Sequence, residues 1–192
     1  MTLPRPALVV TAAMLALASG CLTVESTLRA DGSGTVRMVY SATADATEQS
    51  ERARFSSDHV RVESLDLRSD HTGTVTVAVD DATKLATAEG FKTATVLRGK
   101  AGERTDELRV VLANPTPAKV PDHGQQPMRV RITLPGKVVE ANGGATVTDA
   151  TAAWTIPMHE FASRSSTELR VRYETPAAAP DATALTPKTP AS

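Results

Sequence analysis

The sequence predicts an α+β fold: a mainly antiparallel β-sheet with about two helices on one face. Three observations predict it. Apolar residues recur with a period of two over most of residues 22–174, as in half-buried strands. Only two short segments break that alternation. So few helices cannot supply the crossovers of a parallel sheet, whereas tight turns between successive strands supply hairpins.

Leu22, Val24, Ser26 and Leu28 alternate with Thr23, Glu25, Thr27 and Arg29, and after Asp31-Gly32-Ser33-Gly34 the pattern resumes at Val36, Met38 and Tyr40. This is a hairpin with a glycine-rich turn. Residues 45–55 then set Asp45 three positions before Glu48, the polarity of a helix start, and contain few β-branched side chains, which predicts a helix. A second hairpin follows, with strands near 60–67 and 74–79 turned by Ser69-Asp70-His71-Thr72-Gly73. The second helix is expected over 81–89, closed by Gly90 in the left-handed conformation, with Phe91 opening the next strand. Further strands are expected at 93–98, 107–113, 128–134, 145–148, 153–158 and 168–174, the segment after Pro135-Gly136 being a plain extension. Valine supplies most of the core, since β-branched side chains pack well on a pleated surface.

The chain has 192 residues, with 21 Lys+Arg against 22 Asp+Glu, which leaves no net basic field for phosphate and argues against a nucleic-acid binder. A single cysteine excludes an internal disulfide and a thiolate zinc cluster. Residues 1–20 resemble an export signal, with Arg5 as the only charge before an apolar run over 7–18. That run is shorter than the roughly 20 residues a membrane-spanning helix needs. Cys21 stands directly after Ala18-Ser19-Gly20, small residues that fit a signal peptidase, and its thiol can accept a diacylglyceryl group. The stretch resembles the lipobox of bacterial lipoproteins, with Leu17 one place further from the cysteine than usual; the alternative is an ordinary secretory signal. At the other end, residues 175–192 hold four prolines and one large apolar residue, Leu185, the composition of a disordered tail. The organisation expected is thus a lipoprotein signal at 1–20, a folded domain at 21–174 and a Pro/Ala/Thr-rich tail at 175–192, placed in a bacterial cell envelope.

Candidates for chemistry are sparse. Each histidine has an acidic sequence neighbour (Asp58-His59, Asp70-His71, Asp122-His123, His159-Glu160), but adjacent residues on a strand face opposite sides and form no dyad. No Gly-x-Ser-x-Gly elbow or Ser-x-x-Lys pair occurs, and Asp31–Gly34 lacks both the lysine of a phosphate loop and the spaced acids of a calcium loop. The expectation is a protein that is not an enzyme, with no cofactor and no metal. More informative are Arg129 with Arg131 and Arg170 with Arg172, each pair alternating with core residues. On neighbouring strands the four would make one patch for phosphate headgroups; otherwise they belong to a solvated face balanced by Glu107, Glu168 and Glu174.

The stretch from Val130 to Gly144 holds a strand stopped by Pro135-Gly136, then Lys137-Val138 and an Asn142-Gly143 turn, and Trp154 follows ten residues on. Together with the Asp31–Gly34 hairpin after Cys21, it resembles the LppM-like family of bacterial lipoproteins over most of residues 21–174. The resemblance implies an envelope lipoprotein with an α+β domain, binding of a lipid or glycolipid, and no known catalysis. The chain departs from it in having no C-terminal transmembrane helix, which puts a two-anchor arrangement in doubt. Two modes of binding follow. An amphiphile binder places an apolar cavity between helices and sheet, lined by Trp154, Phe91, Tyr40 or Phe161 and rimmed by Arg129, Arg131, Arg170 and Arg172. A module for an envelope protein fills that space with core and uses an outer sheet face or an edge strand. Replacement of Cys21 by serine is expected to release the protein from membranes; an intact mass showing a free thiol on a chain cut elsewhere would exclude the anchor.

Overall fold

The computed structural model describes residues 22–119 and 126–175; the signal segment, Cys21, His123 and the tail beyond Thr175 lie outside them. The first hairpin pairs β1 (Thr23–Leu28) with β2 (Gly34–Ser41). Its turn forms because Gly32 takes φ 94° while the Asp31 carboxylate accepts from the Ser33 N–H at 2.9 Å, an Asx turn. β3 (Val60–Leu67) and β4 (Thr72–Val79) make the second hairpin. The left-handed residue of that turn is His71, φ 63°. Gly73 instead lies within β4, where an added Cβ would stand 2.5 Å from the Tyr40 ring.

The chain is α+β and mainly antiparallel, with its strands in two sheets. One has seven strands in the order β3-β4-β2-β1-β7-β10-β9, with β7 at Met128–Thr133, β9 at Thr146–Thr148 and β10 at Thr151–Ile156. The other has four in the order β5-β6-β11-β8, with β5 at Ala94–Lys100, β6 at Thr105–Ala113, β8 at Val138–Ala141 and β11 at Ser166–Glu174. Among the described residues only β1 and β7 pair in parallel.

Helical structure departs from expectation in detail. The first helix, α1, covers Glu48–Arg54 and starts later than Asp45, because Thr47 caps it: its hydroxyl accepts from the Ser50 N–H, and the Ser50 hydroxyl accepts from the Thr47 N–H. Over 81–89 the chain forms a 3₁₀ helix, Ala82–Thr87, capped by Asp81, followed by a 3₁₀ turn at Glu89–Phe91. Gly90 is not in the left-handed region. It is needed because a Cβ there would meet the Phe55 ring at 2.3 Å. Phe91 is buried core, and the strand begins only at Ala94. Two elements escaped the period-two pattern. β8 is only four residues long, and α2 (Met158–Ser163) follows Pro157, a residue that suits the start of a helix and ends the strand.

The inner faces of both sheets feed one continuous core that includes Val36, Met38, Val75, Val77, Val130, Leu108 and Val171, and α1 and the 3₁₀ helix add Phe55, Ala82 and Leu85. The ring of Phe55 sits between Tyr40 and Phe91, with centroids 5.2 and 5.3 Å away. Glu51 is buried beneath α1, where its carboxylate accepts from the Tyr40 hydroxyl at 2.5 Å and from the Arg54 guanidinium at 3.0 Å. Burial, then the hydrogen bond to Glu51, pushes the Tyr40 hydroxyl well above its ordinary pKa.

Asn142 joins the sheets. Its N–H donates to the Arg170 carbonyl at 3.0 Å, its side-chain oxygen accepts from the Arg170 N–H at 2.8 Å, and its Nδ2 donates to the Glu168 carbonyl at 3.0 Å. Its own carbonyl accepts from Trp154 Nε1 at 2.9 Å, across to the seven-stranded sheet. Asn142→Ala removes two of these bonds and leaves β11 backbone groups without partners, so it is expected to cost about 1–3 kcal/mol of unfolding free energy. Urea denaturation measures this, and an unchanged midpoint would refute the role.

Candidate functional site

The side chains expected to line an amphiphile cavity are mostly part of the core. Tyr40, Phe91 and Trp154 are each no more than 6% exposed, and Tyr40 and Phe91 both pack on the ring of Phe55. Phe161, on α2, is partly buried against the same core. Tyr40 and Phe91 thus fill the space beneath the helices with core, and Trp154 reaches from β10 to Asn142 after β8.

The arginines fall on two surfaces. β7 lies between β1 and β10, and β11 between β6 and β8, so the two pairs are not on neighbouring strands and do not make one patch through adjacent strands.

On the seven-stranded sheet, Arg129 and Arg131 are exposed on the outer face. Register places Arg131 beside Glu25, which bonds Arg37 at 3.2 Å on its other flank. One row of this face is five threonines across five consecutive strands: Thr148, Thr151, Thr133, Thr27 and Thr35. The hydroxyls of Thr133 and Thr151 are 3.2 Å apart. Such cross-strand pairs stabilise a sheet and leave a flat, hydroxyl-bearing surface with arginine as its main charge.

On the four-stranded sheet several charges are matched. Arg172 bonds Glu107 at 3.1 Å and Glu140 at 3.0 Å, and Arg109 lies 3.3 Å from Glu107 and 3.5 Å from Glu168. The Arg172 hydrogen bond is the main cause that holds the Glu107 carboxyl below its ordinary pKa. Of the two arginines of β11, Arg172 is thus held by Glu107, whereas Arg170 stands opposite Arg109 in the register and enters none of these pairs, nor does Glu174. A shallow depression of about 190 Å³ between β5 and β6 is lined by Leu97, Arg98, Gly99, Lys100, Glu107 and Arg109. The large apolar residues standing out of the surface are Leu97, Val139 and Val147, on β5, β8 and β9. Each of these is the edge strand of its sheet.

Sequence adjacency concealed one contact. His59 faces Asp80 across the β3–β4 hairpin, Nδ1 to carboxylate 3.1 Å, rather than its neighbour Asp58. Ser57 is close by, but its hydroxyl accepts from the His59 and Val60 backbone N–H groups and pairs with the Thr87 hydroxyl. This serine is employed in shaping the turn. His71 belongs to a turn and His159 to α2. Among the described residues no group of three His, Cys, Asp or Glu side chains could hold a metal ion, and no helix is long and apolar enough to cross a membrane.

Because the folded pKa of Glu107 is lowered from 4.5, its stabilisation is complete above that ordinary value and is lost as pH falls through the lower folded one. Glu107→Gln is therefore expected to flatten the fall of the melting temperature below about pH 4.5; an acid limb identical to that of the parent would refute the link. Comparison of the chain with protein-family models, curated proteins and solved structures finds no match.

Proposed function

We propose that this protein is a non-catalytic bacterial envelope lipoprotein of the LppM-like kind, held to a membrane by diacylglycerol on Cys21, whose domain binds an envelope protein through its exterior. The observation that carries the choice of exterior over interior is the burial of Tyr40, Phe91 and Trp154 in the core. A side chain already packed on protein gives little further surface to a ligand. The exterior offers what a protein partner uses: strands at the edges of both sheets, with an exposed apolar side chain on β5, β8 and β9, able to extend a ladder at the positions not already bonded, as the Val138 N–H of β8 is to the Asp149 carbonyl, while a pocket receives the side chain.

The β3 edge is a poorer platform. It carries an irregularity between Val62 and Ser64 and the charges of Arg61, Glu63 and Asp66, features that discourage edge pairing.

A lipid or glycolipid ligand is the competing reading, and the arginine-bearing face of the seven-stranded sheet favours it, since Arg129, Arg131 and Arg37 outnumber Glu25 there. Native mass spectrometry of the protein gently extracted from its own host separates the two. The expected mass is that of the polypeptide plus its anchor. An exchangeable adduct of lipid mass, lost on replacing Arg129 and Arg131 together, would overturn the protein-partner reading.

A further inference from the structure

The first and last described residues, Leu22 and Thr175, lie at opposite ends of the seven-stranded sheet. Leu22 is already part of the fold: its carbonyl accepts from the Arg129 N–H at 2.9 Å, and its side chain packs on the core. Cys21 is the next residue toward the N-terminus, one peptide unit, about 3.8 Å, from a residue fixed by the sheet. An anchor at Cys21 therefore has no linker.

From Leu22, β1 and β7 run side by side in the same direction. Six residues of β1 at about 3.3 Å each carry the chain about 20 Å to the far end. Thr175 lies at that far end. Glu174 donates to the Lys137 carbonyl and packs on Gly136, which follows the last residue of β7, and the Thr175 N–H donates to the Arg104 carbonyl in the β5–β6 turn. β11 covers the same span, starting at Ser166 just after α2, which itself follows the near end of β10.

At the near end the β3–β4 turn extends past the sheet, as does α2, which begins three residues after Thr155 in the row of Thr23 and Arg129. Thr72 pairs with Ser41, two residues beyond the row that holds Thr23, Val39 and Thr74, and Arg68–His71 project past it. This turn offers no net attraction, because Arg68 is 3.5 Å from Asp66 and Asp70 is engaged by the Thr72 N–H. The turn joins strands two and three places from β1, and what would bring this end of the sheet to the bilayer is the closeness of Leu22 to the anchor.

We propose that the domain stands upright on the bilayer that holds its own anchor, with the Arg68–His71 turn at the level of the lipid headgroups and the β5–β6 turn and the exit at Thr175 facing away. The proposal rests on the lipid anchor at Cys21 and adds an orientation to it. The edge strands β5 and β8 then run roughly along the membrane normal, and residues after Thr175 begin on the side away from the membrane.

The test uses the lipidated protein, whose only cysteine is taken up by the anchor. Ser69→Cys and Glu103→Cys variants, both at exposed turn positions, are labelled with a thiol fluorophore and reconstituted into phosphatidylcholine vesicles containing lipid with a headgroup nitroxide. The label at residue 69 is expected to be quenched at least several-fold more than that at residue 103. Equal or reversed quenching in protein that floats with the vesicles would overturn the orientation and leave the anchor intact. Protein that fails to float, as Cys21→Ser should, would overturn the anchor and the orientation with it. If either variant melts below the parent, Arg68→Cys and Arg104→Cys in the same turns repeat the comparison.

Discussion

The joint at Asn142 is the interaction on which the arrangement of the two sheets depends. No ladder of strand hydrogen bonds runs between the sheets, so polar groups at their meeting point need partners of another kind. Asn142 provides them by imitating a strand residue. It continues the pairing of β11 past the end of β8 with its backbone N–H and both ends of its carboxamide, and turns its carbonyl to the indole of Trp154. Gly143 and Gly144, at φ 64° and 70°, let the chain leave at once in a left-handed turn that most residues resist. An indole needs a partner for its N–H when buried; here that partner is the joint itself, which commits Trp154 to structure.

The opposite side of the core depends on Phe55. A helix of seven residues is too short to persist alone, so α1 is held by what it buries. Phe55 closes the helix and inserts between Tyr40 and Phe91, and Arg54 lies 4.8 Å from the Phe55 centroid and 5.5 Å from that of Tyr40, close enough for cation–π attraction. Burial of the Glu51 carboxylate is tolerated because a hydroxyl and a guanidinium both donate to it. The acid, the arginine and the tyrosine hydroxyl form one satisfied group, which fixes where the helix sits on the sheet.

Both hairpins and the long strands were legible in the sequence, because alternation and turn residues are local. Leu22–Leu28 against Val36–Tyr40 needed only a period of two and an Asx-glycine turn. What was not legible depends on distance along the chain. The parallel pairing of β1 with β7 joins residues about a hundred positions apart, and nothing in either strand names its neighbour; hence the four arginines could not be placed on one sheet or two. Gly90 was legible as a special position but not for its reason, since the Phe55 ring that demands it comes from another element. Residues 81–89 kept their helical cap at Asp81 yet formed a 3₁₀ helix, a distinction between i+3 and i+4 bonding that side-chain periodicity over so few residues hardly resolves. Of the candidate site, the arginines and aromatics were found as residue types, and their burial and separation were not.

Aromatic economy connects this fold to the mode of action proposed for it. The chain has one Trp, two Tyr and three Phe, and Tyr40, Phe55, Phe91, Trp154 and Tyr173 are all buried. With Phe161 partly packed on the core, no free aromatic side chain is left to anchor a partner in the way aromatic hot spots anchor most interfaces. The outer faces consist largely of threonine rows and matched charges, and such surface pairs contribute little individually to affinity or stability. On the proposed reading, binding energy comes from groups that are neither packed nor matched: backbone donors and acceptors of the edge strands and the apolar side chains of Leu97, Val139 and Val147 that stand on them, with Arg129 and Arg131 as the exposed charges left for a different ligand. Edge pairing supplies direction and register through the main chain and asks little of side chains, which suits a domain whose composition is dominated by valine, threonine and alanine.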